Sequence, residues 1–230
     1  MRRSILIKRF STSRPKVSDY HAHQGNAFPN KISRILLRAV QDVIGDHGIQ
    51  AVLTTARLPE LIEGLPPADF EPGLTHAEVG RLFEAIESIY GVSGGRRLVR
   101  QAGQASFKYW IEGFGSIVGL ADVAFRILPL KLRVKIGIEV VAEISNRYSG
   151  QTVVLGEDRD SYFVVLERCG FCEGQRADVP ICAFPVGLLE ETLFWVSRGS
   201  RFSVEETSCI ACGDPVCTIC IGKEPREQPA

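Results

Sequence analysis

The chain has 230 residues, enough for one well-buried core, and its 45% hydrophobic and 23% charged residues match an ordinary globular protein. Its 27 acidic and 27 basic side chains cancel, so no net field points to nucleic acid or an anionic membrane surface. The longest mostly apolar run, 117–128, is interrupted by Asp122 and Arg126 and is too short to span a bilayer.

Residues 1–29 carry Arg2, Arg3, Lys8, Arg9, Arg14 and Lys16 against one acid, Asp19, and read as a flexible basic N-terminus. The His21-Ala-His23 pair within it has chelating spacing but no predicted element to hold it. Asn30 is placed to cap a helix over 31–44, with Ile32, Ile35, Leu36, Ala39, Val40 and Val43 at three-and-four spacing and Gly45 as its stop. A second short helix is predicted over 48–57. The prolines at 66, 67 and 72 make 64–73 a loop.

Thr75-His-Ala-Glu78 has the form of a capping box, in which the Thr hydroxyl and Glu carboxylate each satisfy an amide of the first turn. The helix it opens is predicted to run to Tyr90, with Val79, Leu82, Phe83, Ile86 and Tyr90 inward. Helical pattern continues from about Gly94 towards Leu128, where glycines at 103, 113, 115 and 119 allow bends or close helix contacts. Pro129 then opens a helix ending near Tyr148. Its apolar face is Leu130, Val134, Ile138, Val141, Ile144 and Tyr148, and Lys131, Lys135, Glu139, Glu143 and Arg147 form a solvated stripe.

After Gly150 the texture becomes β-branched and aromatic. Residues 152–155 and 162–166 read as a hairpin, 185–196 as a helix, and 202–206 and 216–221 as two more strands. The expected fold class is α+β, with N-terminal helices packed on a roughly four-stranded antiparallel sheet that carries one inserted helix. Residues 30–222 form one domain in this reading (helical part 30–150, sheet part 151–222), followed by a charged tail, 223–230.

All seven cysteines lie in this second part: Cys169, Cys172, Cys182, Cys209, Cys212, Cys217 and Cys220. An odd, clumped set cannot staple the whole chain, so the thiols read as metal ligands or redox groups in a reducing compartment, the cytoplasm. Three Cys-x-x-Cys pairs can be written, and Cys169/Cys172 with Cys209/Cys212 would suffice for a four-cysteine site. If 216–221 is a strand, however, Cys217 and Cys220 point to opposite faces and cannot both reach one ion. Cys212 and Cys220 then read as small buried hydrophobes.

The stretch Val204-x-Glu206-Thr207-x-Cys209-x-Ala211-x-Gly213-Asp214-Pro215-x-Cys217-x-Ile219-x-Ile221, preceded by Cys182 and Gly187-Leu188-Leu189, resembles the 4-vinyl reductase domain. That family includes the effector-binding part of phenol- and xylene-sensing activators and is related in fold to Golgi transport-particle subunits. The resemblance implies zinc as cofactor, held by Cys182, Glu206, Cys209 and Cys217, with Cys169 and Cys172 as possible extra thiols. It also implies a homodimer and a small hydrophobic or aromatic ligand between helices and sheet. Phe107, Trp110, Phe114, Phe125 and Trp195 are candidate pocket residues, although the same residue types fill cores.

The expected function is therefore a ligand-binding sensor or carrier that signals to a partner protein. The alternatives are a bacteriochlorophyll- or tetrapyrrole-pathway protein (vinyl reductase or intermediate carrier) and a structural dimer-forming subunit. No nucleotide-binding glycine motif follows a predicted strand, no nucleophile elbow occurs, and no hydride source is evident, so an enzymatic role is not favoured.

Overall fold

A computed structural model describes residues 6–8, 25–118, 125 and 127–226. Most of the basic N-terminal segment, with His21 and His23, lies outside the described residues. Its residues Leu6–Lys8 nevertheless form a short strand, β1. The elements that follow are β2 (Ala27–Pro29), α1 (Asn30–Thr55), α2 (Glu60–Glu63), β3 (Pro72–Thr75), α3 (His76–Tyr90) and α4 (Val92–Val118). Then come α5 (Leu130–Tyr148), β4 (Thr152–Glu157), β5 (Ser161–Arg168), α6 (Ala183–Ser197), β6 (Val204–Ser208) and β7 (Cys217–Gly222).

The α+β layout and the antiparallel sheet stand as expected. The sheet has five strands in the order β1-β4-β5-β7-β6, one more than the sequence pattern predicts, because Leu6–Lys8 pairs along the free edge of β4. A small second sheet pairs β2 with β3.

The two helices expected over 31–57 follow one another within α1 across a kink at Gly45, whose φ of 74° breaks the helical backbone. Asn30 does not cap α1. Its side chain instead donates to Asp69 Oδ1 at 2.9 Å, and the residue at the cap position is Pro29. The Thr75/Glu78 capping box is formed, with Glu78 N donating to Thr75 Oγ1 at 3.2 Å and Thr75 N to Glu78 Oε2 at 2.7 Å. Pro129 opens α5 and Tyr148 closes it.

Helix α6 lies at the centre of the molecule. Phe184, Val186, Leu189, Leu193 and Val196 are buried, while Glu190 and Glu191 are half-buried and Trp195 is exposed. It packs against α4 at very short range. A Cβ on Gly187 would lie 1.9 Å from the Arg100 carbonyl oxygen, and one on Gly103 would lie 2.1 Å from that of Phe184. Arg100 and Gln104 of α4 also bind Glu190 of α6, with Arg100 Nε 2.8 Å from Oε2. Glycine on each helix thus brings the two backbones together and fixes α6 over the sheet.

The charged stripe of α5 is partly paired. Glu157 of β4 accepts from Lys135 Nζ at 2.9 Å and from Lys223 Nζ at 3.1 Å, linking α5, β4 and the segment after β7. The Lys135 ammonium, followed by that of Lys223, holds the Glu157 carboxyl below its ordinary value. A depressed folded-state pKa contributes stability that is present above the unfolded value and is lost as pH falls through the folded one. Glu157→Gln is therefore expected to lower stability at pH 7 by less than about 1 kcal/mol, since the group is part-exposed, and to have no effect at acid pH. Urea melts at neutral and acid pH check this; an equal loss at both would refute it.

Candidate functional site

Among the described residues, candidate sites include a corner of thiols at one end of the sheet and a cavity between helices and sheet. The corner is built by three chain segments. After β5 the chain turns tightly, with Cys172 N and Glu173 N both donating to the Cys169 carbonyl at 3.3 and 3.0 Å, so Cys169 and Cys172 face the same way. Cys182 stands at the entry of α6. Cys209 follows β6 in a turn fixed by Asp214, whose Oδ2 accepts from Cys209 N at 2.8 Å, and Cys217 opens β7.

All five of these thiols are buried. The sulfur separations are 3.4 Å for Cys169–Cys182, 3.4 Å for Cys172–Cys217, 3.8 Å for Cys182–Cys217, and 4.0 Å from Cys209 to each of Cys182 and Cys217. Glu206 of β6 reaches in as well. Its Oε2 accepts from Cys182 N at 2.8 Å, while its Oε1 is buried without a hydrogen-bond partner among the described residues. Burial pushes the Glu206 carboxyl up to about 8, against the opposing hydrogen bonds from Cys182. The Cys209 thiol is lowered to about 5, chiefly by its hydrogen bond with Cys182.

Donor atoms of Cys182, Glu206, Cys209 and Cys217 lie within 4.8 Å of one another, and so do those of Cys169, Cys172, Cys182 and Cys217. The expected alternation along β7 holds, with Cys217, Ile219 and Ile221 buried and Cys220 half-buried on the other face. Cys212 is exposed at the end of the turn 210–212, so it is not the buried apolar residue anticipated. Glu205 points to solvent and pairs with Arg226 at 3.3 Å.

The cavity is enclosed by α4, α5 and α6 above β4, β5 and β7, and has a volume of about 40 Å³. Of the five aromatic residues anticipated for a pocket, only Trp110 lines it. Phe114 is fully buried and stacks on Trp110 at 5.2 Å, with Phe70 and Tyr148 around it, and so belongs to the core. Phe107 and Phe125 gather at Trp195, with ring centroids 5.8 and 6.4 Å away, and none of these three lines the cavity.

The lining that sequence reasoning missed includes Val141 and Ser145 of α5 with Ser149 just after it, Leu188 and Leu189 of α6, Gln151 before β4, and the rings of Phe28 and Phe171. The i, i+4 spacing of 141, 145 and 149 marks one helical stripe. It was hidden because its serines do not register in an apolar periodicity. Trp110 Nε1 is buried without a hydrogen-bond partner among the described residues.

No family model matches the sequence, and no curated protein matches it. Solved structures of similar fold are H-NOX domains. A Cs H-NOX mutant carrying 4-cyano-L-phenylalanine has a TM-score of 0.56 at 15% identity, covering 88% of this chain and 100% of that one. An oxygen-binding H-NOX domain related to soluble guanylate cyclases scores 0.51 at 14% identity, covering 88% and 99%. An Fe(II) unliganded H-NOX protein from K. algicida scores 0.52 at 15% identity, covering 85% and 97%. At such identities the likeness shows the fold alone.

These findings correct the family expectation. The fold is that of H-NOX domains, and assignment to the 4-vinyl reductase domain, with its kinship to phenol-sensing activators and transport-particle subunits, is overturned. The expectation of zinc as cofactor goes with it, because it came from that family's spacing and the similar structures are known for haem. The physical reason is that a short Glu-x-x-Cys-x₇-Cys run describes a strand–turn–strand corner. Such a corner is too local a feature to identify the fold around it.

Neither of two cavities among the described residues fits haem. A cavity of about 40 Å³ is far below the roughly 300 Å³ of even a small drug-sized site, and its lining has no His, Cys, Met or Tyr to serve as axial ligand. An open groove of about 490 Å³ between α5 and β4 has none either. His76 is buried, with Nδ1 bonded to Glu173 and Nε2 unpartnered among the described residues. Its ring is pressed against residue 170, where an added Cβ would lie 2.6 Å from Nε2. The tetrapyrrole-pathway alternative is not supported by either cavity among the described residues. Among the described residues no helix is long and apolar enough to cross a membrane.

Proposed function

On the premise of a fold shared with H-NOX domains, we propose that this chain is a small-molecule-binding module of the sensor or carrier kind, with its ligand in the helix–sheet cavity. The observation that carries this reading is the enclosed, mainly apolar cavity with a buried indole N–H at its wall and no partner for that N–H among the described residues. A water needs roughly 10–15 Å³ of such space, so the cavity has room for a guest of a few heavy atoms. An unpaired buried donor costs about 1–3 kcal/mol. A ligand that brings an acceptor recovers that cost, so the preferred guest is small, apolar and equipped with one oxygen. An aromatic guest would require α4 or α5 to move outward. Signalling would then follow from a shift of those helices, read by a partner protein or a second copy of the chain.

The test follows the indole N–H resonance of Trp110 during titration with xenon, acetone and phenol. A saturable shift with at least one of them is expected, larger for the two that carry an acceptor, and Leu188→Trp, which fills the cavity, should abolish it. No saturable response to any of the three would sink the reading.

The thiol corner supports a second part of the same reading. Cys182, Glu206, Cys209 and Cys217 are proposed to hold one transition-metal ion that clamps α6 to the β6–β7 turn. The donor set, three thiols and a carboxylate, favours soft or borderline ions without selecting one. Four protein donors leave no open position, so the ion would be structural.

A further inference from the structure

We infer that the corner holds two transition-metal ions, the second bound by Cys169, Cys172, Cys182 and Cys217 and bridged to the first through the Cys182 and Cys217 thiolates. This rests on the one-ion proposal above. Six buried donors converge on the corner, five thiols and the Glu206 carboxyl, and a single tetrahedral ion uses four of them. An ion held with Glu206 and Cys209 leaves Cys169 and Cys172 facing it unused. An ion held by the four thiols leaves Glu206 Oε1 buried without a partner. Two ions engage all six.

The spacing agrees. An ion about 2.3 Å from each sulfur holds tetrahedral sulfurs about 3.8 Å apart. The Cys182–Cys217 edge common to both sets is 3.8 Å, four further sulfur–sulfur edges are 3.4, 3.4, 4.0 and 4.0 Å, and the donor atoms of each set all lie within 4.8 Å of one another. Cys217, the proposed bridge, already receives a backbone hydrogen bond from Ile210 N at 3.2 Å, which fixes its sulfur in the corner. Charge is also consistent. Five thiolates and one carboxylate against two divalent ions leave the same net −2 as one divalent ion with four thiolates, and whatever protons the ligands still carry are released to solvent as the ions bind.

The fold explains why two segments meet here. Residues 169–173 turn back over the ends of β5 and β7, and Ala177 N donates to the Ala211 carbonyl at 2.9 Å, tying this loop to the turn that presents Cys209. The second ion would lock the 169–177 loop against the α6 entry, and that loop carries Phe171, which lines the ligand cavity.

The full chain, produced in minimal medium with cobalt as the added transition metal and purified under reducing conditions, tests this. Two cobalt ions per chain are expected by elemental analysis, with the high-spin Co²⁺ paramagnetic resonance signal attenuated by coupling through the shared thiolates. The Cys169→Ala/Cys172→Ala double variant should retain one ion and regain the uncoupled signal. One ion per chain in the parent protein, unchanged in that variant, would overturn the second ion and leave the first standing. Two ions with no coupling would overturn the bridge, and no bound metal would overturn both proposals. Because stoichiometry and coupling are read on the parent protein, a double variant that fails to fold leaves the decision intact.

Discussion

Gly187→Ala is expected to destabilise the protein by more than about 3 kcal/mol, at or beyond the upper end of ordinary overpacking effects. The added methyl carbon would lie 1.9 Å from the Arg100 carbonyl oxygen, and the obstacle is α4 backbone, which cannot rotate aside. The helices must separate, which also strains the Arg100–Glu190 ion pair and lifts α6 from the sheet. For a chain of this size such a loss corresponds to a melting temperature lower by roughly 6–12 °C. Gly113→Ala is the control. There the nearest atom is the flexible Lys31 Cε at 3.1 Å, and alanine suits a helix interior better than glycine, so the change should be near neutral. Thermal unfolding of the two variants side by side checks the prediction, and a Gly187→Ala protein melting with the parent would refute it.

The second large effect is expected at Phe114. Its ring is fully buried among Phe70, Trp110 and Tyr148, and Lys31 Nζ lies 4.7 Å from its centroid while donating to the Gly113 carbonyl. Phe114→Ala removes the middle of this stack and should cost about 3–5 kcal/mol, the range for deleting a buried phenyl ring. The denaturant midpoint should fall with the slope unchanged, because the surface exposed on unfolding barely alters. Trp110→Phe should behave differently. It keeps an aromatic ring in the stack, removes only the indole N–H, and should therefore weaken the response to acceptor-bearing guests more than it weakens the fold. If both variants lost stability equally and ligand response were unchanged by Trp110→Phe, the cavity would not be the binding site.

Much of the architecture was legible in the sequence. The capping box at Thr75 and Glu78, the restart at Pro129 and the alternation of Cys217, Ile219 and Ile221 each follow from local rules: caps, the missing proline N–H, and the period of two along a strand. The break at Gly45 was placed correctly, because glycine adopts the positive φ that separates the two helices of α1 at a kink. The site was less legible. Aromatic side chains on the central helices fill cores and pockets alike, so Trp110 could not be separated from Phe107, Phe114, Phe125 or Trp195 without knowing which faces meet. Family identity was misread for a related reason, since a local run of cysteines and glutamate outweighed the weaker, distributed pattern of the whole fold.

The sequence by itself determined the helices-then-sheet order, the antiparallel pairing and the concentration of thiols in the last third, because these depend on neighbours within a few residues. Only the tertiary structure decided that β1 pairs along β4 as a fifth strand, that Cys169 and Cys172 meet Cys182 and Cys217, and that a small cavity remains above β5 and β7. Those outcomes join residues far apart in the chain, through strand pairing and helix packing that no local pattern encodes.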